Sequence, residues 1–174
     1  QDGAQLVVYD ATDRVVDLAG GTTSPDGSET TPETKHLIWS CTKPLSATCL
    51  HQLAEAGDLD YDDPVVDHWP AFARGDDAKE GVTIRHVLSH QTGMPTSELD
   101  SDPGAWGDWD HIVETMETQE LADPPGTTPA YHTVTFGWLV GELVRQITGV
   151  PIAEYAQEHV FEPLGMSKTS IGVR

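Results

Sequence analysis

A chain of 174 residues, 37% hydrophobic, has room for one domain with a sizeable core, read here as spanning 1–174, and no apolar stretch in it is long enough to span a bilayer. Its 29 acidic side chains against 9 basic ones give a formal net charge of −20. Nucleic acid and anionic membrane are poor partners for such a surface.

The opening Gln1-Asp2-Gly3 has neither an initiator methionine nor a basic-then-apolar leader, so no signal peptide is read. A cytoplasmic chain is the expectation, either processed or cut from something longer. Gln5 to Tyr9 and Val15 to Ala19 are β-rich runs around Asp10-Ala11-Thr12-Asp13-Arg14, the pattern of a hairpin, and Gly20-Gly21 closes it. Thr22 to Thr34, rich in Ser, Thr, Pro, Gly and Asp, reads as a loop.

The stretch Trp39-Ser40-Cys41-Thr42-Lys43-Pro44 carries the first chemistry. A hydroxyl and an amine three residues apart share one face of a helix. An amine beside a serine can take its proton and make it a nucleophile. Pro44 is tolerated only in a first turn, so the helix should start at about Ser40, placing its free N–H groups beside the hydroxyl, where they favour developing negative charge. The preceding His36-Leu37-Ile38-Trp39 suggests that this helix start is sunk in the core. Leu45, Cys49 and Leu53, widened by Leu50 and Ala54, form its apolar stripe, and Gly57 is positioned as its stop. Cys41 and Cys49 on that helix stand about 12 Å apart, too far for a disulfide, and read as packed thiols.

Asp58 to Asp63 has the acidic look of a calcium loop, but there is no glycine at its sixth position and Trp69 stands where the bidentate glutamate belongs. Gly81 to His90 reads as a short helix capped by Thr83, with Ile84, Val87 and Leu88 inward. His86 and His90 are four apart without the Glu of a zinc-binding helix and read as structural. Glu98 to Gly107 is an acidic, tryptophan-bearing loop that either lines a cleft or covers the core. Asp108 caps a helix to about Leu121, and Asp123-Pro124-Pro125-Gly126 ends it. After Tyr131 comes a strongly periodic helix with Phe136, Leu139, Val140, Leu143, Val144 and Ile147 on one face and Gly149 as its stop. Pro151 opens a last helix with Ile152, Tyr155, Ala156 and Val160, and Phe161 to Met166 follows as a turn. Beside Ser40 and Lys43, Tyr131 would supply a second proton carrier that passes a proton to the leaving group.

Several separated motifs in one order carry a resemblance: Ser40-Cys41-Thr42-Lys43-Pro44, then Leu53 to Pro64, Val82 to Pro95, Pro125-Gly126, Tyr131 and Pro163-Leu164-Gly165-Met166. Together they resemble the serine hydrolases that include class C β-lactamases, D-alanyl-D-alanine peptidases and family VIII carboxylesterases. The resemblance implies an α/β (α+β) fold of the β-lactamase/transpeptidase type, in which this chain holds the N-terminal hairpin and helical region and lacks the C-terminal sheet strands. It implies Ser40 as the acylated nucleophile, Lys43 as its activating amine and Tyr131 as general acid/base. The Ser40 backbone N–H would be one half of an oxyanion hole, with His132 and Thr133 beside the substrate. It implies no cofactor, and an ester or amide as the small-molecule substrate.

Two departures shape the expectation. Where the family usually has Tyr-x-Asn, this chain has Tyr131-His132-Thr133, and a threonine lacks the amide a β-lactam side chain would meet, which favours an esterase over a β-lactamase. The family's third motif, on a core strand that supplies the other oxyanion N–H, has no counterpart before Arg174. A fragment, or a chain completed by a complementary C-terminal segment or second polypeptide, is therefore expected, and a catalytically silent half-domain and a β-lactamase or D-amino-acid peptidase stand as alternatives. The charge has two readings, solubility and adaptation to high salt. Scarce lysine and absent asparagine favour the second.

Overall fold

One helix organises the larger part of the computed structural model, which describes residues 2–23 and 27–172. The chain forms two compact units, Gln1–Leu37 and Ile38–Arg174. In the second, the helix Thr135–Thr148 (called α5 below) buries Phe136, Trp138, Leu139, Val140, Leu143 and Val144, so nearly its whole circumference is covered. A helix apolar over so much of its surface has to sit inside others. The others are α1 (Thr42–Ala56), α2 (Val65–His68), α3 (Ile84–Leu88), α4 (Trp109–Thr118) and α6 (Ile152–Ala156), all of which pack against α5.

α1 contributes Cys49, Leu50 and Leu53 to that core, and it stops at Gly57, whose φ of 83° is the left-handed conformation that glycine adopts without a Cβ penalty. Gly149 stops α5 in the same way at φ 75°. α3 begins on a reciprocal cap: the Thr83 hydroxyl accepts from the His86 N–H and the His86 ring accepts from the Thr83 N–H. α4 is capped by the Asp108 carboxylate as its sequence suggests, but it ends at Thr118 rather than near Leu121, since Gln119 turns to an extended backbone. Beyond α6 the chain widens into a π turn at Gln157–Phe161.

Buried charges in this unit are matched. Glu142, 1% exposed, accepts from the Trp109 indole, the Arg145 guanidinium and the Gln146 amide. Lys79 is fully buried and its ammonium donates to the Met116 and Glu117 carbonyls, both at 2.9 Å, at the end of α4. The acidic residues after α1 are likewise engaged: Asp60 and Asp63 cap the local backbone, Asp63 meets His68 and Asp62 meets Arg85. Among the described residues no helix is long and apolar enough to cross a membrane, and no group of three or more His, Cys, Asp or Glu is placed to hold a metal ion.

In the first unit β1 (Ala4–Asp10) and β2 (Asp13–Gly20) pair antiparallel through a two-residue turn, tighter than the five-residue connection the sequence suggests. The register slips between Val8 and Tyr9, so Val8 faces Val16 while Tyr9 faces Arg14, which makes Val15 the extra residue of a bulge. Leu6, Val7, Tyr9, Val15 and Leu18 are exposed, and among the described residues each strand pairs only with the other. Most of the loop over 22–34 is irregular, with an isolated bridge between Thr22 and Glu29, and its residues 24–26 lie outside those described.

Candidate active site

The entry to α1 is not a clean helix start. Trp39–Cys41 forms a 3₁₀ turn and the α-helix begins at Thr42, so Ser40 lies in the turn and Lys43 in the first turn of α1. Ile38 and Trp39 are exposed, Trp39 by 76%, which corrects the expectation that this segment is sunk in the core. The apolar stripe of α1 starts one turn later, and the residues before it open onto a cleft. Cys41 is also exposed; of the two cysteines expected to be packed, only Cys49 is, and burial pushes its thiol up to about 11. Trp39 holds φ 48°, a left-handed backbone that a bulky side chain seldom adopts. Strain of this kind beside Ser40 has to be held by its surroundings.

Lys43 and Ser40 meet. The Lys43 Nζ lies 3.1 Å from the Ser40 Oγ and 2.8 Å from the Thr133 carbonyl oxygen, ninety residues on. It also sits 4.8 Å from the centre of the Tyr131 ring and 5.9 Å from that of Phe136, where the ring faces attract a cation. The Tyr131 hydroxyl is held below its usual pKa, first by hydrogen bonding with Ser40, then with Lys43. Three side chains from positions 40, 43 and 131 therefore converge. Ser40 lies within the first helical turn, where backbone amides lack an intrahelical acceptor.

The segment that carries Tyr131 is extended and irregular, and another turn holds it in place. His90, itself at φ 61°, accepts the Ala130 N–H on its carbonyl and the His132 N–H on its Nδ1, gripping both neighbours of Tyr131. A backbone N–H can only donate, so Nδ1 must carry a lone pair and the imidazole is neutral with its proton on Nε2. Burial, then His132, then Lys43 keep the His90 pKa low, in line with that tautomer. Its ring lies 4.9 Å from those of both Tyr131 and Phe136. Thr92 bonds the His132 ring at 2.6 Å, and Thr135 donates to the Met94 carbonyl at 2.8 Å. The 90–94 turn is thus the bed on which 130–135 lies. His90 carries more than the structural reading of the sequence gave it, while His86 serves as the α3 cap.

His132 and Thr133 differ from the expectation in instructive ways. The His132 imidazole is 1% exposed, its Nδ1 bonded to the Ala130 carbonyl and its Nε2 to Thr92, so it faces the interior and not a substrate. Thr133 does border the cleft, and its backbone carbonyl orients Lys43. No sequence signal marks a carbonyl. The cleft itself, about 460 Å³, is bordered by Ser40, Lys43 and Thr133 together with Trp39, Trp106, Phe136 and Trp138. Trp106 comes from the acidic 98–107 loop, and so that loop lines the cleft.

Comparison with known proteins places this arrangement. The chain is 34% identical over 174 residues to the esterase/beta-lactamase LipL of Mycobacterium tuberculosis, covering 98% of this chain and 39% of that protein. A crystal structure of a family VIII carboxylesterase superposes with a TM-score of 0.89 at 32% identity, over 99% of this chain and 47% of the other. A penicillin-binding protein homolog from Caulobacter crescentus gives a TM-score of 0.84 at 34% identity, over 94% of this chain and 44% of its own. The chain thus spans less than half the length of each of these relatives, in keeping with a β-lactamase/transpeptidase-type fold represented here by its hairpin and helical region. Its whole length, residues 1–174, matches the Beta-lactamase family, to which the chain belongs.

Proposed function

We propose that this chain carries the nucleophile-bearing part of a serine hydrolase that cleaves carboxylic esters through an acyl-enzyme on Ser40. The observation that carries the reading is the Lys43 amine, 3.1 Å from the Ser40 oxygen and tied to the Thr133 carbonyl under the Tyr131 ring. In the first step the Ser40 Oγ bonds to the ester carbonyl carbon while its proton passes to the Lys43 nitrogen. The intermediate then expels the alcohol: the carbonyl carbon–oxygen bond breaks and Tyr131 gives its proton to the departing oxygen, regaining one from the Lys43 ammonium. Water next adds to the acyl carbon while the Lys43–Tyr131 pair takes its proton; the bond from that carbon to the Ser40 Oγ then breaks, the pair returns the proton to Oγ, and the acid leaves. The Ser40 N–H is one donor to the oxyanion. Lacking a second such donor typically costs on the order of 10²- to 10³-fold in rate.

Thr133 favours an ester over a β-lactam, because its side chain offers no amide pair to the lactam's substituent. The kinship with a penicillin-binding protein homolog supports β-lactam or D-amino-acid peptide hydrolysis by the same three residues as the second reading. The test is mass spectrometry of the intact protein after exposure to an activated ester and, separately, a cephalosporin, with Ser40→Ala as control. A mass increase on Ser40 with the ester alone is expected. Labelling by the cephalosporin alone would select the second reading, and labelling by neither, or labelling that survives in Ser40→Ala, would overturn both. The same measurement on residues 1–174 with and without a complementary C-terminal segment tests the silent half-domain.

A further inference from the structure

The cleft beside Ser40 is not evenly lined, and the imbalance bears on which ester it takes. Ser40 and Lys43 form one end; the walls are Trp39, Val134, Phe136, Trp138 and Trp106. Lys43 is the single charged side chain among the described residues that line it, in a chain with 29 carboxylates. Trp106 is fixed there by two contacts. Its indole N–H donates to the Leu99 carbonyl at 2.8 Å, and its ring meets Trp138 edge-on, with centroids 6.3 Å apart and planes at 74°. Its N–H thus satisfied, the indole offers the cleft only apolar surface, while 41% of the residue remains exposed. Trp138, by contrast, is 7% exposed and backed by the core.

Tyr131 does not line this cleft. A pocket bordered by the nucleophile, and not by the phenol that would protonate the leaving oxygen, is suited to the acyl part of the substrate rather than to its alcohol. Pockets of this size that bind small molecules are mostly apolar, with a few polar groups that fix orientation. Here the polar side chains are Ser40, Lys43, Thr42, Ser46 and Thr133, set against Val134 and the rings of Trp39, Trp106, Phe136 and Trp138.

Resting on the Ser40 acyl-enzyme reading, we infer that the cleft is an acyl pocket for uncharged apolar acyl groups, aryl or medium-chain alkyl, and that Trp106 on the 98–107 loop sets this preference. An acyl group carrying a carboxylate has no cationic partner there apart from Lys43, which the reaction uses. One carrying an amide finds no asparagine there, and the Trp106 indole N–H is already taken by Leu99.

The intact protein, Trp106→Ala and Trp106→Phe are compared on p-nitrophenyl esters that share a leaving group and differ in acyl part: acetate, hexanoate, benzoate and hemisuccinate. For the intact protein, kcat/KM on hexanoate and benzoate should exceed that on acetate and hemisuccinate by about tenfold or more, as a few buried methylenes allow. In Trp106→Ala the benzoate-to-acetate ratio should fall about tenfold, and Trp106→Phe should keep most of it. A ratio unchanged in Trp106→Ala, or a wild-type preference for hemisuccinate, overturns the inference. Should Trp106→Ala fail to fold, phenylboronic and methylboronic acids serve on the intact protein, since each places its substituent where an acyl group would lie: phenyl should inhibit at least about tenfold more tightly, and equal inhibition overturns the inference. If no acyl group labels Ser40, the acyl-enzyme reading falls; if all label it equally well, only the acyl pocket does.

Discussion

Replacing Lys79 by methionine should change how stability depends on pH. Lys79 is fully buried, with its ammonium on the carbonyls of Met116 and Glu117 and 5.2 Å from the centre of the Phe72 ring. Burial is the larger influence on it, outweighing the attraction of Asp76 and Glu117, and lowers its pKa from 10.5 to about 8. The folded protein therefore binds this proton less tightly than the unfolded chain does. Above about pH 10.5 the amine is neutral in both states and this difference vanishes; below about pH 8 it is charged in both, and folding carries the whole of it. At 1.36 kcal/mol per unit the contribution is ~3 kcal/mol, and it makes the protein more stable as pH rises through the window. Lys79→Met abolishes that dependence, and leaving the two carbonyls without a donor costs ~1–3 kcal/mol each at every pH. The assay is urea denaturation of both proteins in steps from pH 7.5 to 10.5, taking the difference between them so that all other titrations cancel. A wild-type advantage that grows by about 3 kcal/mol supports the reasoning. One that stays constant across the window would refute it.

Three further outcomes follow from the site and its supports. With the Tyr131 phenol held below its ordinary value by Ser40 and Lys43, and needed protonated to release the alcohol, kcat/KM on an ester should fall as pH rises through a limb below about 10; Tyr131→Phe should lose roughly 10²- to 10⁴-fold in rate, and a wild-type limb at or above the free phenol value would contradict this. Gly93 holds φ 85°, and a Cβ there would lie 2.1 Å from the Asp123 carbonyl oxygen, so Gly93→Ala should destabilise by at least ~1–3 kcal/mol, read as a lowered denaturation midpoint. The net charge of −20 should make the thermal midpoint climb as salt is raised towards about 1 M, where screening acts within about 3 Å. Equal midpoints in dilute buffer and strong salt would sink the salt-adaptation reading.

What the sequence made legible was whatever repeats. α1 and α5 announce themselves through apolar residues one turn apart and a glycine at each end, and Thr83 and Asp108 cap where their side chains suggest. The Ser40–Lys43 pairing follows from helical spacing alone. Solvent exposure was harder to read, since an apolar run such as Ile38-Trp39 has the same letters whether it fills a core or stands exposed. The grip on Tyr131 was invisible, because a histidine that accepts from a backbone N–H and offers its own carbonyl to the next strand of chain does so through tertiary placement. At position 133 the missing asparagine draws the eye to the side chain, yet the atom that touches Lys43 belongs to the backbone and would be there with any residue.

On the acyl-enzyme reading proposed above, burial alone points to the wrong one of the two lysines. Lys79 is sealed, and its three protons can be spent on carbonyls and a ring face because nothing asks it to exchange them. An amine that must take a proton from a serine, pass it to a phenol and recover it needs a different setting: one anchor to fix its direction, and open access on the other side. Lys43 has that setting, with the Thr133 carbonyl behind it, Ser40 in front, and Tyr131, 55% exposed, over it. A single neutral acceptor aims the amine without adding a carboxylate, which would favour its charged form and hinder proton uptake. A backbone oxygen in place of a side-chain anion therefore fits the proposed chemistry. It also ties the aim of Lys43 to the 90–94 turn, because the carbonyl that holds it belongs to the same segment that His90, Thr92 and Met94 keep in place.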